Sequence, residues 1–157
     1  MYNYEFKENK DFELLKRTLP HLITGGYTVE QTDVKDPIDA VVTLYDGRKI
    51  GIEIKVHTHF NTTRKEPRIL IKVNKVNKAV KHMEDYGLTA VLYFAYVEED
   101  KNLYIYNMER LDDEETFIRH QRQRENEPDS RVFPYLTYFL KPDNAIKTHN
   151  YNYGISE

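Results

Sequence analysis

The chain has no cysteine and no tryptophan, and only six glycines and six prolines in 157 residues. Without cysteine there is no disulfide framework and no thiolate metal site. Glycine is too sparsely placed to build a phosphate cradle. Gly25-Gly26 stands alone, and neither a Gly-x-x-x-x-Gly-Lys-Thr/Ser run nor a Gly-x-Ser-x-Gly elbow occurs. Charge of one sign is not in excess either. Lys and Arg number 23 and Asp and Glu 26, for a formal net charge of −3. No global basic field draws the chain to nucleic acid, so any such contact must come from local patches or from a metal that offsets the acids. No apolar run is long enough to cross a membrane, and Met1-Tyr2-Asn3-Tyr4-Glu5 lacks a basic-then-apolar signal pattern, so a cytoplasmic protein is expected. Repeats and low-complexity linkers are missing as well. The length suits one domain spanning residues 1–157. Aromatic residues, by contrast, are plentiful: 13 tyrosines and 7 phenylalanines.

The most informative run is Asp36-Pro37-Ile38-Asp39-Ala40-Val41-Val42 followed by Gly51-Ile52-Glu53-Ile54-Lys55-Val56. It reads as two strands of a hairpin. Side chains alternate across a strand, so Gly51, Glu53 and Lys55 share one face and Ile50, Ile52, Ile54 and Val56 the other. The turn decides which faces of the two strands coincide, because a slip of one residue inverts every side chain. A two-residue loop at Asp46-Gly47 pairs Val41 with Ile52 and puts Asp39 and Glu53 on opposite faces. A three-residue loop, Tyr45-Asp46-Gly47, places glycine at the left-handed position and pairs Ala40 with Ile52. The aliphatic faces then coincide, and the three-residue loop is expected. Two carboxylates on rigid strands suit Mg²⁺, with Mn²⁺ as a substitute, and a lysine beside them can orient a water or offset phosphate charge. Facing like charges destabilise a bare hairpin, and a cation between them removes that cost.

Around this hairpin the pattern predicts an α/β domain with a mixed sheet. Asn9 to Leu19 reads as a helix capped at Asn9 or Asp11, and Tyr27 to Gln31 as a first strand. Ile69 to Tyr86 reads mainly as a helix with the stripe Val73, Val76, Val80 and Met83, stopped at Gly87. Thr89 to Val97 is a central strand, and Leu103 to Tyr106 another. The order is helix, three-strand meander, helix, two strands, with a core at about residues 9–108 and a C-terminal extension over 109–157. In that extension Asp113 to Glu125 reads as a charged helix and Val132 to Leu140 as a strand. The stretch from Asn144 reads as loose.

Pro37-Ile38-Asp39 before the second strand and Glu53-Ile54-Lys55 in the third, with a glycine turn between, resemble the PD-(D/E)xK nuclease superfamily. Lys35-Asp36-Pro37-Ile38 together with Ile52-Glu53-Ile54-Lys55 is similar to the archaeal Holliday junction resolvase core. The resemblance covers roughly Phe12 to Tyr106. It departs from the simplest pattern in having Ile38 between Pro37 and Asp39. It implies a restriction-endonuclease-like fold and a Mg²⁺-dependent DNA endonuclease, resolvase-like or restriction-type. By the same resemblance Asp39, Glu53 and the Ile54 carbonyl ligate the metal, Lys55 positions or polarises the attacking water, and Glu13 sits where an acid from the first helix would fall, with Glu5 and Glu8 competing for that place. DNA, including branched or structured DNA, is the expected partner. One such site cuts one strand, so double-strand cutting implies a homodimer.

Cationic patches supply candidate phosphate contacts. Lys72, Lys75 and Lys78 lie on the polar side of the second helix, and Asn74 and Lys78 are the expected neighbours of the acids. Arg64 and Lys65 lie in the loop after the Glu-x-Lys strand. Arg119, Arg122 and Arg124, flanked by acids, read as a solvated helix face. His57 and His59 lack further ligands for zinc. An alternative to the enzyme is a catalytically inactive nucleic-acid-binding or assembly module on the same fold.

Overall fold

The computed structural model describes residues 4–33, 35–122 and 131–153, with side chains at residues 9–33, 35–121 and 131–153. A six-stranded mixed sheet organises it, in the order β1-β2-β3-β5-β6-β9. Its strands are β1 (Tyr27–Gln31), β2 (Ala40–Leu44), β3 (Lys49–His57), β5 (Ala90–Val97), β6 (Asn102–Asn107) and β9 (Lys147–Asn150). Only β3 and β5 pair in parallel, from Ile50↔Ala90 to His57↔Val97; the other neighbours are antiparallel. The chain between them passes through β4 (Ile69–Lys72), α2 (Val73–Lys81) and α3 (Met83–Tyr86). A second sheet, in the order β4-β8-β7, contains β7 (Thr116–Arg122) and β8 (Val132–Leu140).

Each face of the main sheet carries its own core. On one, Leu15 and Leu19 of α1 (Tyr4–Leu22) pack over Ala40, Val42, Ile52, Ile54, Phe94 and Tyr96. On the other, Val76 and Ala79 of α2 and Ile69, Ile71, Tyr138 and Leu140 of the second sheet pack over Val91, Tyr93 and Ala95. The parallel central strands are covered on both sides, which is why β5 reads as an unbroken apolar run.

The β2–β3 hairpin has the three-residue loop. Ala40 pairs with Ile52 and Thr43 with Lys49, and Leu44 N–H donates to the Arg48 carbonyl at 2.8 Å. Gly47 takes φ +90° at the loop's end, a conformation that side-chain-bearing residues rarely adopt. Ile38, the residue interposed between Pro37 and Asp39, is buried over Gly51. A Cβ at Gly51 would lie 2.8 Å from Leu88 Cδ1, 3.0 Å from Ile38 Cδ1 and 3.1 Å from Val91 Cγ1. Ile38 is thus an anchor for the turn that carries Asp39. That turn is also held by polar contacts: Asp33 N–H donates to Asp36 Oδ2 at 2.9 Å, Tyr86 O–H to Asp36 Oδ1 at 2.8 Å, and Thr32 Oγ1 to the Ile38 carbonyl.

Four expectations are corrected. α1 begins at Tyr4, not Asn9, so Asp11 is a buried mid-helix residue and no cap. Ile69–Lys72 is a strand before α2, because it finds a partner in β8 far along the sequence. The charged stretch read as a helix from Asp113 to Glu125 contains β7, whose Thr116-Phe117-Ile118 run is a strand-forming set; residues 123–125 lie outside the described residues. The stretch from Asn144 is not loose where described. Lys147–Asn150 pairs with β6, and Tyr151 is buried edge-on against Tyr96 with ring centroids 5.0 Å apart.

Two predictions follow from this packing. Gly51→Ala is expected to lower stability by about 1–3 kcal/mol, since three buried side chains must yield, and chemical denaturation measures it. Burial pushes the Tyr104 and Tyr151 hydroxyls up from 10.0 to about 12, and raises Tyr93, Tyr96 and Tyr106 as well. Between those values the unfolded chain releases protons that the folded chain keeps, so stability falls as pH rises. The melting temperature is expected to hold below pH 10 and drop steeply from there toward pH 12, with tyrosinate absorbance appearing together with unfolding.

Candidate functional site

Asp39, Glu53, Lys55 and His57 are brought to one face of the main sheet, the face that α2 covers. Val41 and Gly51 are register partners on that face, and alternation puts Asp39 with Val41 and Glu53, Lys55 and His57 with Gly51. One more step of the same register sets Asp39 opposite Glu53. Asp39 is half-buried, and its N–H donates to the Ile52 carbonyl at 2.8 Å. Its Oδ2 accepts the Ile54 N–H at 2.7 Å. A strand residue's N–H and C=O point to the same neighbouring strand, so the Ile54 carbonyl also faces the Asp39 side. Asp39 and Glu53 are thus opposite each other on one face, and the Ile54 carbonyl lies on the β2 side of β3.

Glu53 is buried, with its side chain 5 % exposed, and Lys75 Nζ of α2 lies 2.9 Å from its Oε2. A buried carboxylate is costly unless paired, and Lys75 supplies a cation from across the interface. The lysine is itself 52 % exposed, so it spans from the buried acid to solvent. Lys75 thus takes the place expected of Asn74 and Lys78, which both lie exposed on α2. Val76 points into the core, and Lys75 sits on the flank of that apolar stripe rather than on its far side.

Tyr93 completes the face. It is the parallel register partner of Glu53, and its O–H donates to the Leu70 carbonyl at 3.0 Å. The same oxygen lies 2.8 Å from His57 Nε2. With the hydroxyl proton committed to Leu70, Nε2 must carry the proton that His57 gives to Tyr93. Burial first, then the charge of Glu53, pushes the Tyr93 hydroxyl well above its ordinary value, so it stays protonated and holds this link. Nothing in the sequence signals Tyr93, because the parallel β3–β5 register joins residues forty positions apart (93 − 53 = 40).

Glu13 is not brought to this face. Its side chain is 65 % exposed and paired with Lys16 at 3.2 Å, on the helix that covers the opposite side of the sheet. Leu15 and Leu19 set the phase of α1, and that phase turns position 13 to solvent. Arg64 bridges to Glu115 at 3.2 Å, and Lys65 lies exposed with φ +70°. Lys72 ends β4 with its Nζ 4.0 Å from the Tyr135 ring centroid, and Lys78 points to solvent. Among the described residues no group of three or more His, Cys, Asp or Glu side chains forms a metal cluster. The oxygens of Asp39, Glu53 and Ile54 are nonetheless hard ligands, and Mg²⁺ characteristically takes one or two carboxylates and keeps several waters.

No family model and no curated protein sequence matches the chain. Among solved structures it is similar to the 1.6 Å structure of Archaeoglobus fulgidus Hjc, a Holliday junction resolvase from an archaeal hyperthermophile. The TM-score is 0.44 at 12% identity, over 83% of this chain and 85% of that chain.

The buried pair gives a direct test. Lys75→Met is expected to cost about 1–3 kcal/mol by stranding Glu53. Glu53→Gln combined with Lys75→Met should recover part of that loss. A double-mutant cycle by urea denaturation measures the coupling, and additive losses would contradict it.

Proposed function

We propose that this chain is a divalent-metal-dependent phosphodiesterase that cleaves DNA, with the β2–β3 hairpin as its catalytic element. The observation that carries the reading is the hairpin register that sets Asp39 opposite Glu53 on one covered face, with Asp39 Oδ2 on the Ile54 N–H and Lys55 next along that face. Asp39, Glu53 and the Ile54 carbonyl are the groups that would hold Mg²⁺ or Mn²⁺. When bound, the metal supplies Lewis-acid stabilisation of phosphate charge and lowers the pKa of a ligated water.

The chain's own residues have separable tasks. Asp39 is held in place by the Ile54 N–H, and Glu53 is buried beside its register partner Tyr93. Lys55 orients a water toward the phosphorus and offsets charge on the non-bridging oxygens. Lys75 holds the Glu53 carboxylate and presents a cation at the solvent side, where a phosphate arrives. His57 lies two positions beyond Lys55 on the same face, its ring fixed by the hydrogen bond to Tyr93, whose O–H donates in turn to the Leu70 carbonyl. A homodimer would deliver two cuts, as duplex cleavage or junction resolution needs.

The Lys75–Glu53 pair also favours a second reading. It balances the buried acid from within the chain, as a non-catalytic nucleic-acid-binding or assembly module on the same fold would require.

Cleavage of supercoiled plasmid, linear duplex, single strands and a synthetic four-way junction is expected with Mg²⁺ or Mn²⁺. Glu53→Ala and Lys55→Ala should each lower the rate by about a hundredfold or more. Metal should also raise the melting temperature of the wild type, by up to about 2.7 kcal/mol of added stability at a hundredfold excess over Kd, and not that of Asp39→Asn. Failure to cut any substrate, with no metal-induced shift, would overturn the enzyme and favour the second reading.

A further inference from the structure

β7 and β8 form a ribbon that outruns the domain. β4 pairs only with the inner end of β8, from Ile69↔Leu140 to Lys72↔Thr137. Beyond Thr137, among the described residues, β8 pairs only with β7, from Ile118↔Leu136 to Arg122↔Val132. The inner residues 137–140 are all buried, whereas 132–136 alternate between exposed and half-buried. Among the described residues no core lies beneath this outer half: Ile118, Val132 and Leu136 are 63 %, 56 % and 49 % exposed. An isolated two-stranded ribbon is marginal in water, so an arm of this kind gains from a ligand laid against it.

The other face of the arm has a definite chemistry. Tyr135 and Phe133 lie on it two positions apart, with Arg119 the register partner of Tyr135. Lys72 Nζ stands 4.0 Å from the Tyr135 ring centroid, and Arg131 Cζ 5.3 Å from that of Phe133. Arg119 Nη1 donates to Gln121 Oε1 at 3.3 Å. Among the described residues no carboxylate pairs with Arg119 or Arg131. A cation held over an aromatic ring is oriented yet keeps its charge, which a carboxylate partner would cancel. Arg64, at the root of the arm, shows the contrast: it also lies over a ring, that of Phe139, but Glu115 neutralises it. Lys72, Arg119 and Arg131 thus make the described part of this face basic in a chain whose net charge is −3, while the sequence between the two strands also carries Glu125, Glu127 and Asp129. Lys72 joins the two regions, because α2 follows it directly and Lys75, three residues on, reaches Glu53.

We infer that this face of the β7–β8 arm is a nucleic-acid track, on which the phosphates of a DNA strand contact Lys72, Arg119 and Arg131 and its sugars lie over Tyr135 and Phe133. Phosphate contacts of this kind position a strand without reading its sequence. The inference shares its ligand class with the function proposed above and does not depend on cleavage.

The test measures binding without chemistry. Fluorescence anisotropy with labelled duplex, single-stranded and four-way-junction DNA, in EDTA over a salt series, compares wild type with Arg119→Gln/Arg131→Gln. Circular dichroism and a melt confirm that the double variant is folded, and Ile118→Ser on the opposite face serves as the control. The expected result is tenfold or greater weakening in the double variant. The slope of log K against log salt should flatten by about 1–2, since each lost phosphate contact contributes about 0.9. Ile118→Ser should bind as wild type does. Equal affinity and slope for wild type and double variant would overturn the track, as would absence of DNA binding at low salt. Displacement of DNA by polyglutamate at equal charge would assign the face to acidic protein instead. If the wild type binds in this manner but cuts nothing with Mg²⁺ or Mn²⁺, the nuclease reading fails and the track stands.

Discussion

The pairing of Ala40 with Ile52 fixes the chemistry of the whole face between the main sheet and α2. It is set by a three-residue loop that ends in a left-handed glycine, and it puts Ala40, Val42, Ile50, Ile52, Ile54 and Val56 in the core under α1. The polar set has no alternative but to gather on the other face. A one-residue slip would send Glu53 and Lys55 into the α1 core and expose Ile52 and Ile54. The hydrophobic requirement of one core therefore enforces the electrostatic arrangement of the other. Stability and site geometry depend on the same register.

The opposite face could not simply be polar, because α2 and the second sheet must also pack there. The solution is graded. Gly51 leaves room for Ile38, Leu88 and Val91, so the floor of the face is apolar at its start. Glu53 follows, buried but answered by Lys75 and bordered by Tyr93. Lys55 and His57 are half-buried toward the end of the strand. Along a single β-strand the environment runs from dry to wet, and the carboxylate sits where the two meet. Low dielectric around Glu53 strengthens whatever cation it meets, and the solvent side keeps the position reachable.

Much of this was legible in the sequence, for identifiable reasons. Strict alternation in Ile50 to Val56, with glycine at position 47, contained the hairpin register, and the apolar run through Val97 marked a strand covered on both faces. What was not legible depended on partners distant in sequence. Ile69–Lys72 extends along β8, some seventy residues away (140 − 69 = 71), and its short apolar run looks like the start of α2. β7 was hidden by its charges, since Asp112 to Glu115 and the arginines suggested a solvated helix while Thr116, Phe117 and Ile118 supplied the strand preference. The residue of α2 that pairs with Glu53 could not be read from the sequence for a finer reason. Helical periodicity identifies the buried stripe of α2 but not which flanking lysine bends inward, and Lys75 does so rather than Lys78. For Glu13 the composition of α1 offered several acids, and only the packing of Leu15 and Leu19 shows that position 13 turns to solvent.

No loop separates Lys72, the last residue of β4, from Val73, the first of α2. The backbone passes from sheet to helix without a joint. Every residue of that stretch belongs to a ladder or a helical turn, so the strand that borders the arm and the helix that carries Lys75 are one continuous piece of backbone.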